Sequence, residues 1–146
     1  MVEQIHARAT LPLRAQVLRP GYSIEECVFP YDSIPGATHF GYFHNRELVC
    51  IATLHAEARE PGLEGSLRLR GMATDPRFQG KGFGQQVVKA CIEYAKQEKA
   101  REIWCTARTT AAGFYLNLGF INLTPEAYDI PTVGPHFTMH RPLLDY

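Results

Sequence analysis

A chain of 146 residues has the length of one domain with a single substantial core, and 45% hydrophobic with 21% charged residues is an ordinary globular composition. Fifteen basic residues balance fifteen acidic ones for a formal net charge of zero, which argues against bulk attraction to nucleic acid or an anionic membrane and leaves anion recognition to local clusters. No apolar run reaches the ~18 residues of a membrane span, and the segment MVEQIHARAT lacks an apolar signal core, so the expected location is cytoplasmic.

In chain order, Gln4–Ala9 reads as a short strand, and Thr10 is placed to cap a helix running to about Leu18, with Pro12 tolerated in its first turn. Arg19-Pro20-Gly21 ends that helix. Residues 22–35 show no clear period beyond one helical turn after Ser23. Thr38–Phe43 and Glu47–His55 are rich in aromatic and β-branched residues, and His44-Asn45-Arg46 between them predicts a hairpin. Leu67–Thr74 alternates as a strand. From Gly84 to Lys99, Val87, Val88, Cys91, Ile92 and Ala95 recur at helical spacing. Ile103–Thr106 reads as a buried strand, Thr110–Leu118 as a short helix, and Phe120–Leu123 and Phe137–Leu143 as strands. No repeat or linker interrupts the chain. The expectation is an α+β (mixed α/β) single domain over residues 1–146, built on a mostly antiparallel sheet of six to seven strands flanked by helices.

Cys27, Cys50, Cys91 and Cys105 are widely spaced with no C-x-x-C pair, so they read as reduced core residues. No metal site is expected. His136 and His140 lie four apart on a predicted strand, about 13 Å from each other, too far to share an ion.

The most informative segment is Gln79-Gly80-Lys81-Gly82-Phe83-Gly84, between a strand and an amphipathic helix. Glycines permit positive φ and close backbone approach, and the helix start offers N–H groups and the positive end of its dipole to a phosphate. A turn that only reverses the chain would carry the same letters. Neither the P-loop nor the G-x-G-x-x-G dinucleotide spacing is present. What remains is Q-x-x-G-x-G, which resembles the coenzyme A loop of the GNAT superfamily of N-acetyltransferases.

The resemblance extends along nearly the whole chain. Residues 111–120, AAGFYLNLGF, are similar to the superfamily's helix-to-strand element A-x-x-F-Y-x-x-x-G-F, and LRLRGMAT to its central strand. Many members carry an asparagine three positions before the alanine of that element, whereas this chain has Arg108. Together with Leu18-Arg19-Pro20, residues 69–74 and 104–109, Tyr128-Asp129-Ile130-Pro131 and Gly134-Pro135-His136, this resembles the glyphosate N-acetyltransferase type of the superfamily.

Acetyl transfer to an amine needs a neutral amine, a stabilised oxyanion and a protonated leaving thiolate. The resemblance implies His136 as general base and Tyr115 as the acid that protonates the coenzyme sulfur. The residues alone leave both open, as a core histidine and a packed tyrosine. The resemblance also implies Arg19, Arg70 and Arg108 as substrate-binding arginines. On the predicted strand Arg68 and Arg70 share one face, with Arg68 the outer or salt-bridged member, and arginine forks grip carboxylate or phosphonate in bidentate fashion. The backbone of Met72, Ala73 and Thr74 would pair with the pantetheine arm of acetyl-CoA, and its diphosphate would lie over Gln79, Gly80, Lys81, Gly82, Phe83, Gly84 and Gln85. The implied acceptor is a small anionic amine, attacked directly without an acyl-enzyme. Cys105, on an apolar strand, is expected to stay protonated. Two alternatives stand beside this reading: an acetyltransferase for a cationic or peptide amine, which would want acidic residues such as Glu57, Glu60 and Glu64 in its pocket, and a non-catalytic acyl-CoA-binding sensor.

Overall fold

A computed structural model of the chain describes residues 1–143. It divides into two compact units, one formed by Met1–Ala56 and Leu69–Tyr94, the other by Glu57–Arg68 and the chain from Ala95 on.

In the first unit the strands follow the order β1 (Val2–Ile5), β2 (Thr38–His44), β3 (Glu47–Ala56), β4 (Ser66–Thr74, of which Leu69–Thr74 lie in this unit). β1 with β2 and β2 with β3 are antiparallel. Asn45 and Arg46 both take positive φ, 50° and 68°, so the β2–β3 hairpin closes through the mirror-image turn whose twist matches its strands. The predicted strand at Gln4–Ala9 is shorter: it ends at Ile5, and Ala7–Thr10 form a 3-10 turn. Its cap is His6, whose Nδ1 accepts from the Arg8 N–H at 3.2 Å. Thr10 does not cap the next helix, because its hydroxyl donates back to Ala7 O at 2.6 Å.

Helix α1 (Leu11–Leu13) continues as a π turn over Arg14–Leu18, closed by Arg19 N–H to Arg14 O at 2.9 Å. Widened turns of this kind often mark functional positions. Leu13 packs with Ile51 and Ala73, and Ile5, Val17, Leu18 and Leu48 surround them. Helix α2 (Phe83–Gln97) buries Val87, Val88, Cys91, Ile92 and Ala95, the face its spacing predicts. Burying each large aliphatic side chain contributes about 1.5–3 kcal/mol.

In the second unit, Ser66–Arg68 of β4 pair in parallel with β5 (Glu102–Arg108), the exception in an otherwise antiparallel set. β5 pairs with β8 (Gly134–Pro142), and β8 also carries β6 (Ile121–Asn122) and β7 (Tyr128–Ile130). α2 ends here in a Schellman arrangement, Ala100 N–H to Ala95 O and Lys99 N–H to Lys96 O, with Lys99 at φ 57°. Helix α3 (Ala112–Leu116) follows a 3-10 turn at Thr109–Ala111. β7 raises the strands described to eight, one more than the upper expectation. No helix among the described residues is long and apolar enough to cross a membrane.

Candidate active site

The glycine loop is braced at both ends. Asp75 N–H donates to Val49 O at 2.8 Å, its carboxylate accepts from the Arg77 backbone N–H at 2.9 Å, and the Gln79 side-chain amide donates to Thr74 O at 3.4 Å. On the far side the Phe83 ring stacks on Tyr42, centroids 4.3 Å apart, within a group that includes His44 and Phe78. Phe83 is therefore an anchor through its ring, and what it offers a ligand is its backbone. Gly80 and Gly82 sit at φ 77° and 84°, and a Cβ at either would meet nothing within 4 Å. The first helical bond recorded for α2 is Gln86 N–H to Gly82 O at 3.1 Å, so the N–H groups of Phe83 to Gln85 lie at the open, positive end of the helix, with exposed Lys81 beside them. These features fit a diphosphate. Before the loop, Ala73 is 4% exposed and belongs to the core, and the Thr74 hydroxyl donates to Cys50 Sγ at 3.2 Å. Met72, Ala73 and Thr74 lie beyond Arg68, where the register of β4 with β5 ends.

The same unit gathers arginines on two aromatic rings. Arg14, wholly buried, donates to both Asp32 oxygens at 2.7 and 2.8 Å, to Cys27 O at 3.0 Å and to Thr53 Oγ1 at 3.2 Å. Its guanidinium lies 4.6 Å from the Phe29 centroid and 5.4 Å from that of Tyr31. Arg19, carried past the π turn, lies over Phe29 at 5.2 Å and Tyr22 at 5.3 Å. Arg70 lies over Tyr31 at 4.7 Å. Phe29 and Tyr31 themselves stand 5.4 Å apart, so the fold brings Arg19 and Arg70 to one aromatic pair. Burial opposes ionisation of Asp32, but the hydrogen bonds from Arg14 and the Phe29 N–H outweigh it and hold its carboxyl below the usual range. Burial pushes the Tyr31 phenol up to about 12.

In the second unit Arg108 and His136 are register partners on β5 and β8. His136 is 4% exposed, and its Nδ1 lies 2.8 Å from Gly134 O. A carbonyl only accepts, so Nδ1 carries the hydrogen and Nε2 holds the lone pair in the neutral ring. Tyr115 is buried on α3, with its ring edge-on to Phe114 at 5.0 Å and Phe120 at 5.3 Å. Arg68 pairs with Glu57 at 2.6 Å and lies 4.4 Å over the Trp104 ring, which makes it the salt-bridged arginine of β4. Glu60 and Glu64 are exposed. Burial pushes the Cys105 thiol up to about 12, which keeps it protonated, and all four cysteines are free and buried. Among the described residues no group of three or more His, Cys, Asp or Glu is placed to hold a metal ion. Arg14, Asp32 and Tyr31 escape a reading from sequence: the partners lie 18 positions apart, and only Phe29-Pro30-Tyr31 in a polar stretch hints at them.

Residues 5–120 match the Acetyltransferase (GNAT) family. The chain is 33% identical over 143 residues to YitI of Bacillus subtilis (strain 168), described as an uncharacterized N-acetyltransferase, covering 97% of this chain and 95% of YitI. Among solved structures it shares its fold with Escherichia coli ElaA, at TM-score 0.78 and 22% identity over 97% of this chain and 98% of that one. It also shares it with yncA of Salmonella typhimurium, solved with its cofactor acetyl-CoA, at TM-score 0.79 and 14% identity over 100% and 95%. The chain belongs to the GNAT family and is an acetyl-CoA-dependent N-acetyltransferase with that family's α+β fold.

Proposed function

We propose that this enzyme acetylates a small amine bearing one or more acid groups, an amino acid or aminophosphonate of the glyphosate-like kind, and that it works in the cytoplasm. The observation that carries this reading is the gathering of Arg14, Arg19 and Arg70 on Phe29 and Tyr31, with the carboxylate of Asp32 bound by Arg14. A cationic acceptor would meet repulsion there, whereas a carboxylate or phosphonate matches the arginine fork.

Acetyl-CoA supplies an acetyl group activated as a thioester. Gly80, Gly82 and the α2 N–H groups bind its diphosphate, with Gln79 and Lys81 at the rim, and the backbone of Met72, Ala73 and Thr74 receives the pantetheine arm as an added strand would be received. Arg19 and Arg70 hold acid groups of the acceptor, and the family resemblance gives Arg108 the same task. Nε2 of His136 takes the proton that the acceptor ammonium must lose before it can attack, with Nδ1 tied to Gly134 O so that the ring presents the correct nitrogen. The Tyr115 hydroxyl holds the proton delivered to the departing sulfur.

The test is release of free thiol from acetyl-CoA with anionic and cationic amines side by side. Turnover confined to aspartate, glutamate or aminophosphonates supports the proposal, and turnover confined to polyamines or peptide N-termini overturns it. Arg70→Lys should raise the acceptor KM and leave that for acetyl-CoA unchanged.

A further inference from the structure

Tyr31 takes no part in the chemistry above, yet it occupies the centre of the arginine group. It is 9% exposed, its ring stacks with His55 at 5.1 Å and 19°, and it carries the Arg70 guanidinium at 4.7 Å. Stacking of this kind leaves a ring little freedom, so the hydroxyl has a fixed address. That address is the backbone of β4 at Gly71. Gly71 takes φ 65°, and a Cβ there would stand 3.0 Å from the Tyr31 hydroxyl oxygen. Arg14 Nε is 3.9 Å from the same point, fully buried and without a hydrogen-bond partner among the described residues. Two donors thus face the one residue of β4 that lacks a side chain, next in sequence to Arg70.

The Tyr31 hydroxyl makes no hydrogen bond to any described residue, and burial keeps it a neutral phenol at every pH an assay would use. It is not among the fully enclosed polar atoms that lack a partner, so the oxygen is open to water or to a ligand. A neutral phenol beside a guanidinium suits an acid group, whose charge is met by the guanidinium and whose oxygens accept from both.

We propose that Tyr31 determines acceptor specificity by donating a hydrogen bond to the same acid group that Arg70 grips. This rests on the anionic acceptor proposed above. Arg70 can only donate, so an amide nitrogen placed against it would leave two donors facing each other, and the hydroxyl adds a second hydrogen bond to the acid that Arg70 selects. Arg14 and Asp32 act through Tyr31 as positioning residues, fixing the Phe29–Tyr31 turn that bears the ring.

The experiment compares wild-type enzyme, Tyr31→Phe, Arg70→Lys and the double variant in steady-state acetyl transfer. The acceptors are aspartate, glutamate, aminomethylphosphonate and N-(phosphonomethyl)glycine, with spermidine as the cationic control. Tyr31→Phe keeps the ring, its stack and its place over Arg70, and removes only the hydroxyl. The expected result is an acceptor KM raised about tenfold, the loss of one hydrogen bond to a charged group, with kcat within twofold and the acetyl-CoA KM unchanged. The two single effects should combine to less than their product, because both touch one acid group. An anionic acceptor turned over by wild type with a KM that moves less than twofold in Tyr31→Phe overturns the role of Tyr31 alone. Turnover of spermidine with none of the acids overturns the reading beneath it.

Discussion

Replacing Asp32 by asparagine should cost this protein a large part of its stability, because the change strands a positive charge in the interior. Arg14 is 0% exposed and Asp32 6%, and the pair is joined by two hydrogen bonds of 2.7 and 2.8 Å. Asparagine keeps the shape and one acceptor oxygen but removes the charge. Breaking a buried pair from one side costs about 3–5 kcal/mol, and the retained acceptor places this variant near the lower end, about 3 kcal/mol. For a chain of this length each kcal/mol moves Tm by roughly 2–4 °C, so Tm should fall by about 6–12 °C. The assay is urea unfolding followed by circular dichroism, with a thermal scan beside it. Arg14→Met with Asp32→Leu, which removes both charges together, should recover much of the loss. The sign with pH follows from the same pair. The Asp32 carboxyl is held below its ordinary value, so its contribution is present above the unfolded value near 4 and is lost as pH falls through the folded one. A loss below about 1 kcal/mol for Asp32→Asn would show that water reaches Arg14, and the reasoning from a buried pair would fail.

Three further outcomes concern the reaction. His136→Ala should lower kcat by about 10²–10⁴ while calorimetry still detects acetyl-CoA binding; unchanged turnover refutes the base. Tyr115→Phe retains the ring contacts to Phe114 and Phe120 and removes only the hydroxyl, so it should lower kcat by about a hundredfold, and an unchanged kcat would make Tyr115 a packing residue. Gly82→Val forces a β-branched residue to φ 84°, a strain of about 1–2 kcal/mol that should weaken acetyl-CoA binding by roughly tenfold and leave the acceptor KM in place. An effect on the acceptor alone would place the loop against the wrong ligand.

Sequence pattern disclosed the elements whose period is long enough to be read. Val87, Val88, Cys91, Ile92 and Ala95 announce α2, and the β-branched and aromatic runs on either side of Asn45 announce the hairpin. The glycine loop was legible because its chemistry lies in adjacent residues. β7 was not, since Tyr128–Ile130 is three residues long between turns and owes its pairing to β8. Ala7–Thr10 carries an alternation that fits a strand, but the return bond from Thr10 to Ala7 O turns the chain there. The cluster proposed to hold the acceptor was legible only in part. Arg19 and Arg70 could be named individually, whereas the Phe29–Tyr31 pair that collects them and the Arg14–Asp32 bond that fixes it are tertiary contacts, and Arg14 and Asp32 are of types that ordinarily face water.

The central claim is that an acid group of the acceptor rests on Arg70. The most direct measurement is a crystal structure of the enzyme with coenzyme A and the best-turned-over acidic amine. It should show carboxylate or phosphonate oxygens within about 3.2 Å of the Arg70 guanidinium nitrogens. An acceptor ordered in the crystal with its acid group turned to solvent or to another residue contradicts the account.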